Sequence, residues 1–111
     1  LYSAGSSGLT SAGASTFDQD TANVNDAAEA EDLFGYGLVA LDSNGDGAAD
    51  LAIGIPGEDV GAVVDAGAVA VLLSSLGVGV TANGDAFLHQ DLAFVDGDCE
   101  TNDLFGLLLQ N

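Results

Sequence analysis

Asp42-Ser43-Asn44-Gly45-Asp46-Gly47-Ala48-Ala49-Asp50 is the stretch on which the reading of this chain turns. Oxygen-bearing side chains fall at its first, third, fifth and ninth positions, and a glycine falls at its sixth. In a loop that curls on itself, alternate residues point inward, so Asp42, Asn44 and Asp46 converge. Gly47 allows the sharp turn because it has no Cβ to clash at positive φ. A hard, oxygen-seeking cation such as Ca²⁺ requires this alternation. The backbone carbonyl of Ala48 then supplies one ligand, and Asp50 is expected to close the shell with both oxygens.

The flanks decide what kind of loop this is. A helix–loop–helix calcium site closes with Glu at position 12, but position 12 counted from Asp42 is Ile53. It lies in Leu51-Ala52-Ile53-Gly54-Ile55, a β-branched apolar run that stops at Pro56 and therefore reads as a strand. The loop joins two strands, Gly37–Leu41 and Leu51–Ile55. The competing reading is a hairpin turn that binds nothing, since Asn-Gly and Asp-Gly are common turn dipeptides. A turn needs only two such residues. Three aspartates and an asparagine in register repel one another without a cation between them.

Composition narrows the function classes. Eighteen acidic residues stand against no Lys or Arg, a formal charge of −18 over 111 residues. Internal salt bridges to Lys or Arg cannot form, so every carboxylate must find water, a metal or a hydrogen-bond donor. Nucleic acid is excluded as a partner, because phosphate contacts come chiefly from Lys and Arg. Docking to anionic lipid is excluded on the same ground. A salty or calcium-rich exterior screens such a charge better than dilute cytosol does. No apolar run approaches the roughly 18 residues of a membrane span, so direct membrane insertion is not expected. No basic leader is present, so any secretion signal is expected to have been removed or to lie outside this sequence. The one cysteine, Cys99, cannot form an intrachain disulfide; it reads as an unpaired loop residue or as an interchain partner.

Shifted by 71 positions, the sequence falls onto itself without a gap. Gln19-Asp20 meets Gln90-Asp91, Glu29 meets Glu100, and Asp32-Leu33-Phe34-Gly35 meets Asp103-Leu104-Phe105-Gly106. Leu1, Ser3, Gly8, Thr10 and Gly13 meet Leu72, Ser74, Gly79, Thr81 and Gly84, so about fifteen of forty overlapping positions agree. A fixed period of this length marks a repeat architecture. Residues 1–33 are expected to be the last part of a preceding repeat, with its fourth strand and acidic connector. Residues 34–104 are one complete unit, and 105–111 the first strand of the next.

Within the complete unit the strands are expected at Phe34–Leu41, Asp50–Ile55, Gly67–Leu73 and Ala86–Leu92. Pro56–Asp65 and Ser74–Asn83 read as loops, and Ala93–Asp103 as an acidic connector. Gly67–Leu73 is continuously apolar and so reads as buried on both faces. No helix is expected, because glycine recurs every few residues. The fold class is all-β, with four antiparallel strands per unit in up-and-down order. That is the pattern of a propeller blade.

Phe34-Gly35, the loop Asp42–Asp50 and Gly54-Ile55-Pro56 together resemble the FG-GAP repeats of the integrin α-subunit β-propeller. The nearer resemblance is to bacterial secreted multi-repeat forms. Here Pro56-Gly57-Glu58-Asp59, Asp65-Ala66-Gly67 and Ser7-Gly8-Leu9-Thr10 match their longer pattern. The resemblance implies a seven-bladed propeller, Ca²⁺ in the loop between the first two strands of a blade, and adhesion or ligand binding outside the cell. It assigns Asp42, Asn44, Asp46, the Ala48 carbonyl and Asp50 as the metal ligands. It also implies that Phe34 packs between neighbouring blades. Ile55 stands where the usual motif has alanine, a packing change.

Other residues carry less. Asp96, Asp98, Glu100 and Asp103, partly mirrored by Asp26, Glu29, Glu31 and Asp32, offer a second cation site by composition, but they lack the loop's spacing and read better as solvated connectors. Glu58, Asp59 and Asp65 read as loop residues bonding backbone, or as a partner-facing edge or secondary metal site. His89 reads as exposed, because the matching residue of the other copy is Asp18, and neither His89 nor Cys99 has an evident partner. No Gly-x-Ser-x-Gly turn occurs, and no catalytic constellation is expected. Two functions lead, and a non-catalytic propeller appended to a hydrolase is a third. One is a calcium-stabilised extracellular scaffold for a protein or glycan ligand. The other is a structural subunit assembling head to tail, with neighbouring repeats or identical chains meeting at exposed strand edges.

Overall fold

The computed structural model describes residues 3–110, and gives the backbone alone for 3–5. The described residues form eight strands: β1 (Ser3–Gly5), β2 (Gly8–Thr10), β3 (Leu38–Leu41), β4 (Asp50–Ile55), β5 (Ala68–Leu72), β6 (Ser74–Ser75), β7 (Gly79–Val80) and β8 (Ala86–Leu88). Among the described residues there is no helix, and therefore none long and apolar enough to cross a membrane. The central element is an antiparallel sheet in the order β3-β4-β5-β8. Its up-and-down order is the one expected from the sequence. β1 pairs with β2, and β6 with β7, as separate two-stranded hairpins.

Side chains explain why β4 and β5 are central. β5 is buried throughout and β4 nearly so, whereas β3 alternates between exposed and half-buried residues. Large residues face small ones across the strands: Ile53 opposite Ala70, Ile55 opposite Ala68, and Val71 opposite Ala52. Such pairing fills a close-packed layer without voids. Because successive residues point to opposite faces, the sheet has two cores. One face carries Ile53, Ile55, Ala70, Leu72 and Phe87, packed against Phe17, Val24 and Phe34. The other carries Val39, Ala52, Val69, Val71 and Leu88, packed against Phe105 and Leu109. One Phe-Gly corner thus packs on each side of the same sheet.

Gly54 makes the second corner fit. A Cβ there would sit 2.1 Å from the carbonyl oxygen of Gly106, inside any tolerable contact. The following corner is also sewn to the loop before β5. Asn102, Leu104 and Phe105 donate their N–H groups to the carbonyls of Val64, Asp65 and Ala66, at 3.1, 3.1 and 2.9 Å.

Several boundaries differ from expectation. β3 begins at Leu38 rather than Phe34, because Leu33 and Gly35 take positive φ and Tyr36 N–H closes a turn on the Leu33 carbonyl. Phe34-Gly35 is therefore a corner, not strand. β8 stops at Leu88 rather than Leu92, where Leu92 N–H bonds the His89 carbonyl and turns the chain. Ser74–Asn83 is not wholly loop, since it contains the β6–β7 hairpin. Residues 105–110 form a corner with one parallel bridge, Phe105 to Gly67, rather than a strand. The fourth strand expected within 1–33 is not formed: among the described residues no strand follows β2 before β3. Leu1 and Asn111, which take part in the sequence repeat, lie outside the described residues.

Hydrogen bonds recur at the 71-residue interval. Thr21 N–H to Asp18 O and Val24 N–H to Thr21 O reappear as Leu92 to His89 and Val95 to Leu92. Asp32 Oδ2 accepts Glu29 N–H at 2.6 Å, and Asp103 Oδ2 accepts Glu100 N–H at 2.9 Å. Aspartates whose carboxylates hold their own turns explain why both acidic connectors are ordered without any cationic side chain.

Candidate metal centre

The 42–50 loop connects β3 to β4 and is curled by its own side chains. Asp42 Oδ1 accepts N–H bonds from Gly45 and Asp46, at 2.7 and 3.1 Å, while its Oδ2 accepts that of Gly47 at 3.0 Å. Asn44 Oδ1 takes the Asp46 N–H at 2.9 Å, and Asp46 Oδ1 takes the Ala48 N–H at 2.8 Å. Gly47 lies at φ 85°, in the left-handed region that the sequence required of it. Asp42, Asn44 and Asp46 are exposed at the loop's mouth, and Ala48 is buried at its base. The exposed donors are oxygen atoms on one short turn, a set that suits a hard cation of the Ca²⁺ type.

Asp50 occupies a different place in the loop. It is fully buried, and its two oxygens point to different partners. Oδ1 accepts the Ser74 N–H at 2.8 Å. Oδ2 accepts the N–H of Ser43 at 3.0 Å and also its hydroxyl. The Ser43 hydroxyl bond, with the Ser74 and Ser43 N–H groups, holds the Asp50 carboxyl below the usual range, against the opposing effect of burial. Asp50 thus ties the start of the loop to the start of β6. Closing a metal shell with both its oxygens, as the sequence implies, requires it to share them with these donors.

Residues 34–72 match the family described as FG-GAP repeat. This segment is an FG-GAP repeat. The match runs from the first Phe-Gly corner through the loop and β4 to the end of β5, so it spans the whole candidate centre. FG-GAP repeats are typically structural or ligand-binding units of extracellular proteins. No curated protein and no solved structure matches the chain.

The FG-GAP unit holds a second polar site that sequence reasoning missed. Glu58 follows Pro56-Gly57 and is fully buried, so it is not a partner-facing edge residue. Its Oε2 accepts the Nε2–H of Gln19, itself buried, at 2.6 Å. Burial pushes the Glu58 carboxyl up to about 8, aided by a hydrogen bond with Asp26 and by the charges of Asp32 and Asp26. Glu58 is therefore held largely as the neutral acid at pH 7. The signal available in sequence was the recurrence of Gln19-Asp20 as Gln90-Asp91. Asp59 behaves as expected of a loop residue and accepts the Asp65 N–H at 2.8 Å.

His89 and Cys99 do have a partner, contrary to expectation: each other. Cys99 Sγ lies 3.9 Å from His89 Nδ1, and both residues are half-buried. Ten positions apart in sequence, they meet because the turns at His89–Leu92 and Leu92–Val95 reverse the chain.

Proposed function

We propose that this chain is part of a calcium-stabilised FG-GAP scaffold that presents its blade-end loops to an extracellular protein or glycan ligand in adhesion. The observation that carries the reading is the pair of Phe-Gly corners, Phe34 on one face of the central sheet and Phe105 on the other. A sheet clamped between equivalent corners 71 residues apart is a stacking unit, and stacking units make scaffolds rather than catalytic pockets. Ca²⁺ held by Asp42, Asn44, Asp46 and the Ala48 carbonyl, with Asp50 behind them, stiffens the turn joining β3 to β4. It also offsets carboxylate repulsion at the blade end. Loops mounted on such a frame are where binding function usually sits. Calorimetric titration with Ca²⁺, paired with melting in EDTA, tests the reading. Binding in the weak extracellular range of about 10⁻⁴ to 10⁻³ M is expected, together with a melting temperature that falls on chelation. An unchanged melting curve and no heat of binding would overturn it.

A second reading, head-to-tail assembly of identical subunits, is favoured by Gln90. Gln19 donates to Glu58 of the unit that follows it, and Gln90 is its counterpart 71 residues on. The Gln90 Oε1 is buried without a partner. A Pro-Gly-Glu turn seated as Pro56-Gly57-Glu58 is seated on Gln19 gives the Gln90 Nε2–H an acceptor, whether that turn comes from a second copy or from a further repeat. Native mass measurement separates the readings: concentration-dependent oligomers support assembly, and a strict monomer removes it.

A further inference from the structure

We propose that His89, Asp91 and Cys99 form a second metal site, selective for a borderline-soft divalent cation of the Zn²⁺ type and separate from the 42–50 loop. One ligand atom from each of the three residues lies within 4.8 Å of the others, the one such triad of His, Cys and acidic residues among the described residues. The Cys99 Sγ to His89 Nδ1 separation is 3.9 Å. A tetrahedral zinc with bonds of about 2.3 Å to sulfur and 2.0–2.1 Å to nitrogen sets that edge at about 3.6 Å. The pair needs to close by only a few tenths of an ångström. Asp91 Oδ1 accepts the Cys99 N–H at 2.7 Å, which fixes the carboxylate beside the thiol and leaves Oδ2 for a cation. Cys99 and His89 are half-buried while Asp91 is exposed, so the fourth position opens to water.

The preceding copy separates folding from chemistry at this place. There Asp20 Oδ1 accepts the Ala28 N–H at 3.3 Å, the counterpart of the Asp91–Cys99 bond. The counterpart of His89 is Asp18. The backbone device therefore forms with alanine and aspartate in place of cysteine and histidine. Imidazole and thiolate are additions to a turn that does not need them, and that ligand pair suits zinc rather than calcium. Binding replaces the Sγ–H bond with an S–metal bond and releases the proton to water. Asp96, Asp98 and Glu100, with no Lys or Arg anywhere in the chain, leave a negative local field that favours a divalent cation.

The test is titration of the full chain with Co²⁺ as a zinc surrogate, with the thiol verified free in a non-chelating reductant. The expected result is a thiolate-to-cobalt charge-transfer band that saturates at one equivalent, is displaced by Zn²⁺ and is untouched by Ca²⁺. Such a highly acidic chain attracts divalent ions without specificity, and the sulfur-dependent band is the readout that this background cannot produce. Cys99→Ser should abolish the band. Both Cys99→Ser and His89→Gln should weaken Zn²⁺ binding by more than the roughly 10–100-fold typical of losing an outer-shell partner. The metal-free melting temperature should not move, because both residues lie in turns outside the sheet. Asp42→Asn combined with Asp46→Asn should leave the band in place. Absence of the band in the parent chain, or Zn²⁺ binding by Cys99→Ser as tight as the parent's, overturns the proposal.

Discussion

Residues 18–35 and 89–106 follow one backbone course with different chemistry along it. Both close the same turns, both place an aspartate under the N–H eight residues on, and both end in a Phe-Gly corner against the central sheet. The earlier segment spends its polar side chains on the interior, where Gln19 reaches Glu58 across the blade. In the later one, Gln90 Oε1 is buried without a partner, and a thiol and an imidazole stand where the earlier copy has Ala28 and Asp18. The lesson is that carboxylate-to-backbone bonds hold the course, which leaves the other side chains free to diverge.

The largest effect tests the corner that the two segments share. Gly54→Ala puts a methyl group 2.1 Å from the Gly106 carbonyl, a backbone atom that cannot step aside. The variant should lose about 3 kcal/mol or more in denaturant unfolding, the cost of overpacking a filled core. A neutral outcome would mean that the following corner does not seat on this sheet.

Next in size is the contact present in one copy only. The folded Glu58 carboxyl sits at about 8, well above its ordinary 4.5. Its contribution is therefore complete below about pH 4.5 and lost as pH rises through 8. The span is on the order of a few kcal/mol. Glu58→Gln should flatten that alkaline loss in a pH series of urea melts. Asp50 acts in the opposite sense: its lowered carboxyl supports the fold above its ordinary value and loses that effect on acidification.

The calcium loop should contribute somewhat less. At about 10 mM Ca²⁺, a site of 10⁻⁴ to 10⁻³ M affinity stabilises the fold by about 1.4–2.7 kcal/mol. Asp46→Asn should erase most of that increment while leaving the EDTA-treated melting curve in place. The smallest effect sharpens the comparison itself. Asp20→Ala and Asp91→Ala each remove one exposed N–H acceptor and should cost about 0.5–1.5 kcal/mol in the metal-free chain. Only Asp91→Ala should also weaken Zn²⁺. Equal effects on metal binding would erase the distinction between the copies.

Much of the fold was legible because its signals are local. Leu51–Ile55 and Gly67–Leu73 are short apolar runs bounded by Gly, Pro and Asp, and nothing but a buried strand suits them. The 42–50 loop carries its ligand spacing within nine residues, and its self-curling bonds need no distant partner. The corners were harder to read. Phe34 looks like the start of a strand, and only the positive φ values of Leu33 and Gly35 bend it out of the sheet. Glu58 and Cys99 were misjudged for a different reason. Each acquires its chemistry from a residue brought to it through space, Gln19 for one and His89 for the other.

The amino-acid order alone determined the all-β class, the 71-residue period and the oxygen-rich loop, since each is written in neighbouring residues or in a constant interval. Only the tertiary structure decided that Asp50 faces two serines, that Glu58 is buried as the neutral acid, and that a thiol meets an imidazole. Burial and distance between residues far apart in sequence are properties of the packed chain, and no local pattern encodes them.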